Sequence, residues 1–194
     1  MKKKIVFIIG SLFFTTSAFA ETVDRIAAVV GGDIITLSDV KNYSASRSFE
    51  KKHLPGETRD PLQALIREKL IQQEMTHLGI EASDQDIASA VQDVLQRNHA
   101  SLEGLKAELS KKGTSYEKYK KDLGEQIRQM KFLGQVIYPR IRLSDDEISK
   151  KSAGDSSEEG RFKARMKLLE ERSPEEIDKF VAEIRSKTLI EIKK

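Results

Sequence analysis

The chain has 194 residues, with 34 Lys and Arg, 31 Asp and Glu, and no cysteine. The lack of cysteine excludes disulfides, thiol nucleophiles and Cys-ligated metals. Lys2, Lys3 and Lys4 account for the whole excess of positive charge, so residues 21–194 lack the basic surface that drives nucleic-acid binding.

The first 20 residues have the pattern of a secretory signal peptide. The three lysines precede an apolar run at 5–14, and Ala18 and Ala20 supply the small residues that precede a cleavage site. The run is shorter than the ~20 residues of a membrane span, so we predict cleavage after Ala20 rather than an uncleaved anchor. The predicted mature protein is exported, has no lipoprotein cysteine, and makes no stable membrane insertion.

The predicted mature chain starts with a β-hairpin over Val23 to Leu37. Its β-branched residues flank Gly31-Gly32-Asp33, and the glycines can adopt the positive φ angles of a tight turn. Ser38 is then predicted to cap a helix that runs towards His53. Asp60-Pro61 predicts the start of the next helix, which Gly79 ends.

Two further helix starts follow from polar caps. Ser83 with Asp86 and Thr114 with Glu117 are predicted as capping boxes, and a short helix between them ends at Gly113. The helix after Thr114 is long and is predicted to end at Pro139.

The C-terminal part begins with another predicted box, in which Ser144 pairs with Glu147. A polar segment, KSAGDSSEEG at 151–160, separates this helix from one around Phe162. Ser173-Pro174 predicts the start of a separate helix. The alternating TLIEIK segment, 188–193, predicts a final strand that joins the hairpin, because a two-stranded hairpin alone is marginal. The fold class is therefore mainly α with a small β element.

No catalytic or metal-binding pattern is present. The only histidines, His53, His77 and His99, lack the close spacing of zinc ligands. The acidic run at 145–147 fits a helix start better than a cation site. Serine-hydrolase and phosphate-loop patterns are also missing. We therefore predict no catalytic residue, no metal and no cofactor.

One helical face offers candidate peptide-binding residues. Tyr116, Tyr119, Leu123, Ile127 and Met130 recur at helical spacing, and Tyr and Met side chains adapt to varied apolar partners. They could line a groove for apolar peptide segments. Core packing is the alternative, and the spacing alone favours it.

Four segments, in this order, resemble the SurA-type periplasmic chaperone family: VDRIAAVVGGDIITLSDV, LIREKLIQQEMTHLGIEASDQDI, SYEKYKKDLGEQIRQMKFLGQVIYPRIRLSDDEI and RMKLLEERSPEEIDKFVAEIRSKTLIEIKK. The resemblance covers about residues 22–148 and 161–194. It implies one core, formed by an N-terminal module and a C-terminal segment, with a groove that binds unfolded outer-membrane proteins without ATP in the Gram-negative periplasm. The family also carries parvulin-type prolyl isomerase domains, inserted between the two parts.

At that insertion point, this sequence has only residues 151–160, and a folded domain needs at least ~50. We therefore expect a signal peptide at 1–20, a helical chaperone module at 21–150, a flexible linker at 151–160, and a helix and strand at 161–194 that complete the same core. The parvulin domain is expected to be missing, so no isomerase residue is assigned.

The predicted function is that of a periplasmic, ATP-independent holdase, a chaperone that keeps unfolded outer-membrane proteins from aggregating. Two alternatives remain open. One is a peptidyl-prolyl isomerase or an isomerase-associated protein. The other is a dedicated subunit that binds one folded envelope partner. A homodimer is also compatible with the sequence.

Overall fold

The computed structural model describes residues 24–49 and 60–193. The predicted signal peptide, with Ala18 and Ala20, and His53 lie outside the described residues. The elements are β1 (Ile26–Val30), β2 (Asp33–Thr36), α1 (Leu37–Phe49), α2 (Pro61–His77), α3 (Asp84–Arg97), α4 (Leu102–Lys111), α5 (Tyr116–Phe132), α6 (Asp145–Lys151), α7 (Glu158–Lys187) and β3 (Ile190–Ile192).

The strands form one antiparallel sheet in the order β2-β1-β3. Gly31 and Gly32, with φ of 56° and 100°, make the turn between β1 and β2, as their freedom from a Cβ allows. On the other side of β1, Val29 is paired with Glu191 of β3. The mainly helical fold, with the C-terminal strand added to the N-terminal hairpin, is confirmed.

The start of α1 differs from the prediction, because the cap is Thr36 and not Ser38. The Asp39 N–H donates to Thr36 Oγ1 (3.1 Å), and the Thr36 N–H donates to Asp39 Oδ2 (2.8 Å). These reciprocal bonds satisfy two amides at the helix start, so α1 begins directly after β2. Asp60 caps α2 as predicted, with its Oδ1 accepting from the Leu62 N–H.

The α3–α5 region has one confirmed capping box and one wrong one. Ser83 and Asp86 form the predicted box at α3. At α5 the cap is Ser115, whose Oγ accepts from the Lys118 N–H at 3.1 Å, rather than Thr114 with Glu117. A π-helical turn follows α5, and a 3₁₀ turn, Tyr138–Arg140, follows that. The helical segment therefore ends one residue after Pro139.

The predicted linker at 151–160 is shorter and more ordered than expected. Lys151 still belongs to α6, and Ser157 caps α7 by accepting from the Gly160 N–H at 3.0 Å. Residues 152–157 form the connection, where the Ser157 N–H donates to Asp155 Oδ1. The C-terminal segment therefore begins at Glu158 rather than at 161.

The separate helix predicted at Ser173-Pro174 is wrong, because α7 continues through both residues. A proline in a helix removes the amide that would bond the carbonyl four residues earlier, here that of Glu170. Ser173 Oγ donates to this oxygen at 3.0 Å instead. The helix therefore continues without leaving that carbonyl unsatisfied.

Two apolar clusters form the core, and α7 joins them. The first lies under the sheet and contains Ala28, Val30, Ile35, Ile66, Leu70 and Val181. The second lies where α2, α5 and α7 meet and contains Met75, Ile80, Phe132, Ile137 and Phe180. Val181 and Phe180 are sequence neighbours, and the rings of Phe132 and Phe180 meet edge to face, 5.5 Å apart.

Candidate functional site

A groove of about 530 Å³ lies between β2, α1 and α2. Its volume falls in the range of ligand-binding clefts in proteins. The lining residues are Ile34, Ile35, Asp39, Asn42, Tyr43, Ser46, Leu65, Glu68, Lys69 and Gln72. We call this the α1–α2 groove.

The walls of the α1–α2 groove are held in place by local bonds. The reciprocal Thr36–Asp39 bonds set the direction in which α1 leaves β2. On the opposite wall, Gln73 Nε2 of α2 donates to the Val30 carbonyl oxygen (2.7 Å) and to Asp33 Oδ2 (3.0 Å). Both helices are thus attached to the hairpin at fixed positions, so the opening between them is part of the fold.

The groove has an apolar floor and a polar rim. Ile34 is 52% exposed and Ile35 is buried, while Tyr43 and Leu65 are half-buried. Exposed apolar surface in a cleft favours binding of apolar partners, because that surface leaves water on binding.

The rim side chains are already engaged within the protein. Gln72 Nε2 donates to Glu68 Oε1 at 3.1 Å, and Lys69 Nζ lies 3.9 Å from Asp33 Oδ2. Asp39 accepts from the Thr36 amide. A site of this composition can hold a ligand by apolar contact, and it offers no nucleophile paired with a base.

Two basic residues of α5 position the α3–α5 lobe, the region from α3 to α5: Arg128 fastens it to the end of α2, and Lys131 joins α5 to α3. Arg128 Nε donates to the Ile80 carbonyl (2.9 Å), and its Nη2 donates to Thr76 Oγ1 (2.7 Å). Lys131 Nζ donates to Asp86 Oδ2 at 2.6 Å. The bond from Lys131, followed by those from Ser83, lowers the pKa of Asp86 to about 2. A carboxylate that stays ionised at the start of α3 therefore holds α3 against α5.

The α6–α7 hairpin presents a second exposed apolar surface. Phe162 is 61% exposed, and Met166, one turn later on α7, is 36% exposed. The hairpin is held by Arg172, which pairs with Glu147. Bonds from the Ser144 backbone and then from Arg172 lower the pKa of Glu147 to about 2.

The five residues predicted to line a peptide groove lie in different environments. Tyr116 and Tyr119 are half-buried, and their rings stack 6.4 Å apart. Leu123 is half-buried, Ile127 is buried, and Met130 is 63% exposed. None of the five lines the α1–α2 groove. Their role in binding stays a prediction, for which Met130 is the most accessible member.

The groove residues Ile34, Tyr43 and Leu65 were not predicted from the sequence. A usable signal was Tyr43, a large aromatic residue on a helix that is otherwise mostly polar. Another was Ile34-Ile35, two adjacent apolar residues that a strand must place on opposite faces. Where these residues meet depends on the angle between α1 and α2, which no local pattern specifies.

Histidine and acidic residues do not converge anywhere in residues 24–49 and 60–193, where no three His, Cys, Asp or Glu form a metal-binding group. His77 and His99 are exposed and lie on different parts of the chain. In the same ranges, every helix is too short or too polar to span a bilayer.

Comparison with known proteins relates the chain to chaperones. It is 32% identical over 141 residues to the Chaperone SurA of Bordetella pertussis, an alignment covering 69% of this chain and 27% of the relative. It is 31% identical over 159 residues to the Chaperone SurA of Pseudomonas aeruginosa, covering 75% of this chain and 37% of the relative. The chain thus matches only 27% to 37% of the length of these relatives.

The fold also occurs among solved structures. A chain from the work on PEB4 and Cj1289, two structurally related SurA-like chaperones of Campylobacter jejuni, superposes with a TM-score of 0.65 at 17% identity. The superposition covers 88% of this chain and all of the solved one. Residues 23–135 match the SurA N-terminal domain family. Since this match covers more than half of the sequence, the chain belongs to the SurA N-terminal domain family.

Proposed function

We propose that this protein is a periplasmic chaperone that holds unfolded outer-membrane proteins without ATP. The observation that carries the proposal is the open, apolar-floored α1–α2 groove in a chain of the SurA N-terminal domain family. Reversible capture of apolar client segments would lower the concentration of free chain that aggregates. The signal-like first 20 residues support a place in the periplasm.

We further propose that the chain acts as one unit, without an isomerase domain between its two parts. Only residues 152–157 connect α6 to α7, and β3 pairs with β1. Clients are therefore expected to be held rather than isomerised. Affinity would come from apolar contact, because residues 21–194 carry equal numbers of basic and acidic residues.

The test is aggregation of an unfolded outer-membrane β-barrel protein, diluted from urea and followed by light scattering. We expect the purified protein to suppress scattering at near-stoichiometric ratio, whereas an unrelated protein of equal size should not. A chain that leaves scattering unchanged over a wide concentration range is not a general chaperone. We would then expect the protein to act as a dedicated subunit, and pull-downs should recover a single folded partner.

Two matched variants locate the binding surface. Ile34→Asp places a charge in the α1–α2 groove, and Phe162→Asp places the same charge on the exposed surface of α7. Both residues are more than half exposed, so neither change disturbs the core. We expect only Ile34→Asp to weaken suppression. If only Phe162→Asp weakens suppression, client binding belongs to the α6–α7 hairpin instead.

A prolyl isomerase assay tests the alternative that the protein is an enzyme. Cis-to-trans conversion of a short proline peptide should proceed at the uncatalysed rate in the presence of the protein, on a scale of tens of seconds or longer. Acceleration that scales with protein concentration would contradict the proposal that clients are only held.

A further inference from the structure

The α1–α2 groove follows the edge of a strand. Ile34 and Ile35 are consecutive residues of β2, and both line the groove. Consecutive side chains of a strand point to opposite faces of the sheet. A groove lined by both residues therefore follows the outer edge of β2, which no further strand of the sheet covers.

The hydrogen bonds between β1 and β3 show which backbone groups of β2 point outward at this edge. The Gly31 N–H donates to the Leu189 carbonyl (2.9 Å), and the Lys193 N–H donates to the Ala27 carbonyl (2.9 Å). Val29, midway between Ala27 and Gly31, therefore directs its N–H and C=O towards β3.

Val29 is paired with Ile34 on the other side. Because Val29 bonds β3, this pair exchanges no hydrogen bonds, and the N–H and C=O of Ile34 point away from β1. Two residues further along, the Thr36 N–H is already taken by Asp39 Oδ2. The edge of β2 thus offers one donor and one acceptor at Ile34, spaced as a peptide strand requires.

We propose that the α1–α2 groove binds its clients by strand addition, with an extended client segment pairing with Ile34 as a fourth strand of the sheet. The inference rests on the proposed chaperone function and names its recognition mode. Main-chain bonds would supply affinity for any sequence, and the floor would select the side chains.

The floor specifies the type of segment. An added strand would direct alternate side chains towards Ile35, Tyr43 and Leu65, and the remaining ones towards the outer face beside Ile34. Segments with apolar residues at every second position fit this arrangement. The strands of outer-membrane barrels have this alternation, whereas a helical segment would expose no backbone groups to Ile34.

The recessed position of the edge argues for an unfolded occupant. The edge of β2 lies between α1 and α2, which both line the groove. In a second copy, the same two helices would flank β2, so two recessed edges cannot approach within hydrogen-bonding distance. A single extended chain has no such flanking helices and can enter the groove.

The test uses a fluorescein-labelled ten-residue peptide of alternating valine and threonine, and two N-methylated copies, one methylated at every valine and one at every threonine. N-methylation removes peptide donors and leaves every side chain in place. We expect binding, followed by fluorescence anisotropy, to weaken about three- to tenfold in only one of the two copies, the one that loses the donor to the Ile34 carbonyl. The other copy should bind like the parent peptide.

The protein side has a matched pair of substitutions. Ile34→Pro removes the amide that faces the groove, and edge strands tolerate proline where the amide faces outward. Ile192→Pro is the control on the opposite edge, because Ile192 of β3 also directs its amide away from β1. We expect Ile34→Pro to weaken parent-peptide binding by a similar factor and Ile192→Pro to leave it unchanged. If Ile34→Pro fails to fold, the two N-methylated copies decide alone.

Several outcomes would overturn strand addition. These are equal affinity of the two N-methylated copies, loss on Ile192→Pro but not on Ile34→Pro, or peptide affinity that falls as the protein self-associates in sedimentation. A protein that suppresses client aggregation but does not bind the peptide also contradicts strand addition, while the proposed function stands. If aggregation is not suppressed either, the proposed function itself fails.

Discussion

Ser173 Oγ donates a 3.0 Å hydrogen bond to the carbonyl oxygen of Glu170, the acceptor that Pro174 leaves without a backbone donor. Ser173 is buried, and its hydroxyl takes the place of the missing amide. The pair explains how a 30-residue helix passes through a proline. The half of α7 that packs on α6 and the half that carries the buried Phe180 and Val181 therefore belong to one continuous helix.

We expect Ser173→Ala to lower the free energy of unfolding by about 1 kcal/mol, because it removes the hydrogen bond that replaces the missing Pro174 amide. Ser186→Ala is the control in the same helix. Its Oγ also donates three residues back, to Glu183, but that carbonyl has a helical amide as well, so the cost should be below about 0.5 kcal/mol. Urea denaturation measures both. Equal losses would mean that the Ser173 bond does not compensate for Pro174.

A double-mutant cycle sharpens this test. Pro174→Ala restores the amide that Glu170 lacks, so Ser173→Ala should cost less in that background than in the natural protein. Additive effects of the two substitutions would contradict the coupling.

Arg128 is expected to hold the α3–α5 lobe on the end of α2. Arg128→Met keeps the aliphatic stem but removes bonds to Ile80 and Thr76, and we expect a loss of about 1–3 kcal/mol. Lys121→Met, on the exposed side of the same helix, should be nearly neutral. Hydrogen exchange should show faster opening of α3 in the Arg128 variant only. Unchanged exchange there would show that apolar packing alone fixes the lobe.

Stability should fall in acid through Asp86 and Glu147. Both pKa values drop from ordinary values of 3.8 and 4.5 to about 2 in the folded protein. A lowered folded pKa contributes stability that is complete above the ordinary value and is lost as the pH falls to the folded one. Urea titrations from pH 5 to pH 2 should therefore show a steady loss between about pH 4.5 and 2.

Substitutions show which residues cause this dependence of stability on pH. Asp86→Asn and Lys131→Met should each make the acid slope shallower, because they remove the two partners of one bond. The double variant should then be little shallower than either single one. An unchanged slope in Asp86→Asn would show that the Lys131 contact does not persist in solution.

The pairing of β3 with β1 predicts a contrast between neighbouring residues. Ile190 is half-buried against the first core cluster, whereas Leu189 is 74% exposed. Ile190→Ala should cost about 1–3 kcal/mol, at the low end of large-to-small core changes because the site is not fully buried. Leu189→Ala should cost below about 0.5 kcal/mol. If thermal unfolding shows similar losses of stability for both variants, Ile190 of β3 does not contribute to the core.

The predicted peptide-binding face of α5 can be divided in the same way. Ile127→Ala is expected to destabilise the protein by about 2–4 kcal/mol, since Ile127 is buried. Met130→Asp changes an exposed residue and should leave stability unchanged. If α5 contributes to client capture, Met130→Asp will weaken aggregation suppression at constant stability. Full suppression in that variant would restrict the role of this face to packing.

Much of the secondary structure followed from local chemistry. The hairpin turn at Gly31-Gly32, the start of α2 at Asp60-Pro61 and the box of Ser83 with Asp86 each depend on residues within a few positions of one another. Such signals were misread where two caps competed. Thr36 and Ser115 displaced Ser38 and Thr114, because the choice depends on which oxygen reaches an open amide.

Long-range geometry was less accessible from the pattern. Ser173-Pro174 carries every local mark of a helix start, yet the helix continues, because the burial of Phe180 and Val181 on one side and the hairpin with α6 on the other hold both halves in line. Likewise, Lys151 to Gly160 reads as a flexible linker, but α7 already begins at Glu158.

The sequence by itself determined that this chain carries no thiol chemistry, that a helical body lies between an N-terminal hairpin and a C-terminal strand, and that its segments follow the order of a chaperone family. These properties depend on composition and local periodicity. Only the tertiary structure decided that the free edge of β2 lies in a groove between α1 and α2. The physical reason is that the groove arises from the angle between packed elements, and burial far along the chain, at residues such as Val181, sets that angle.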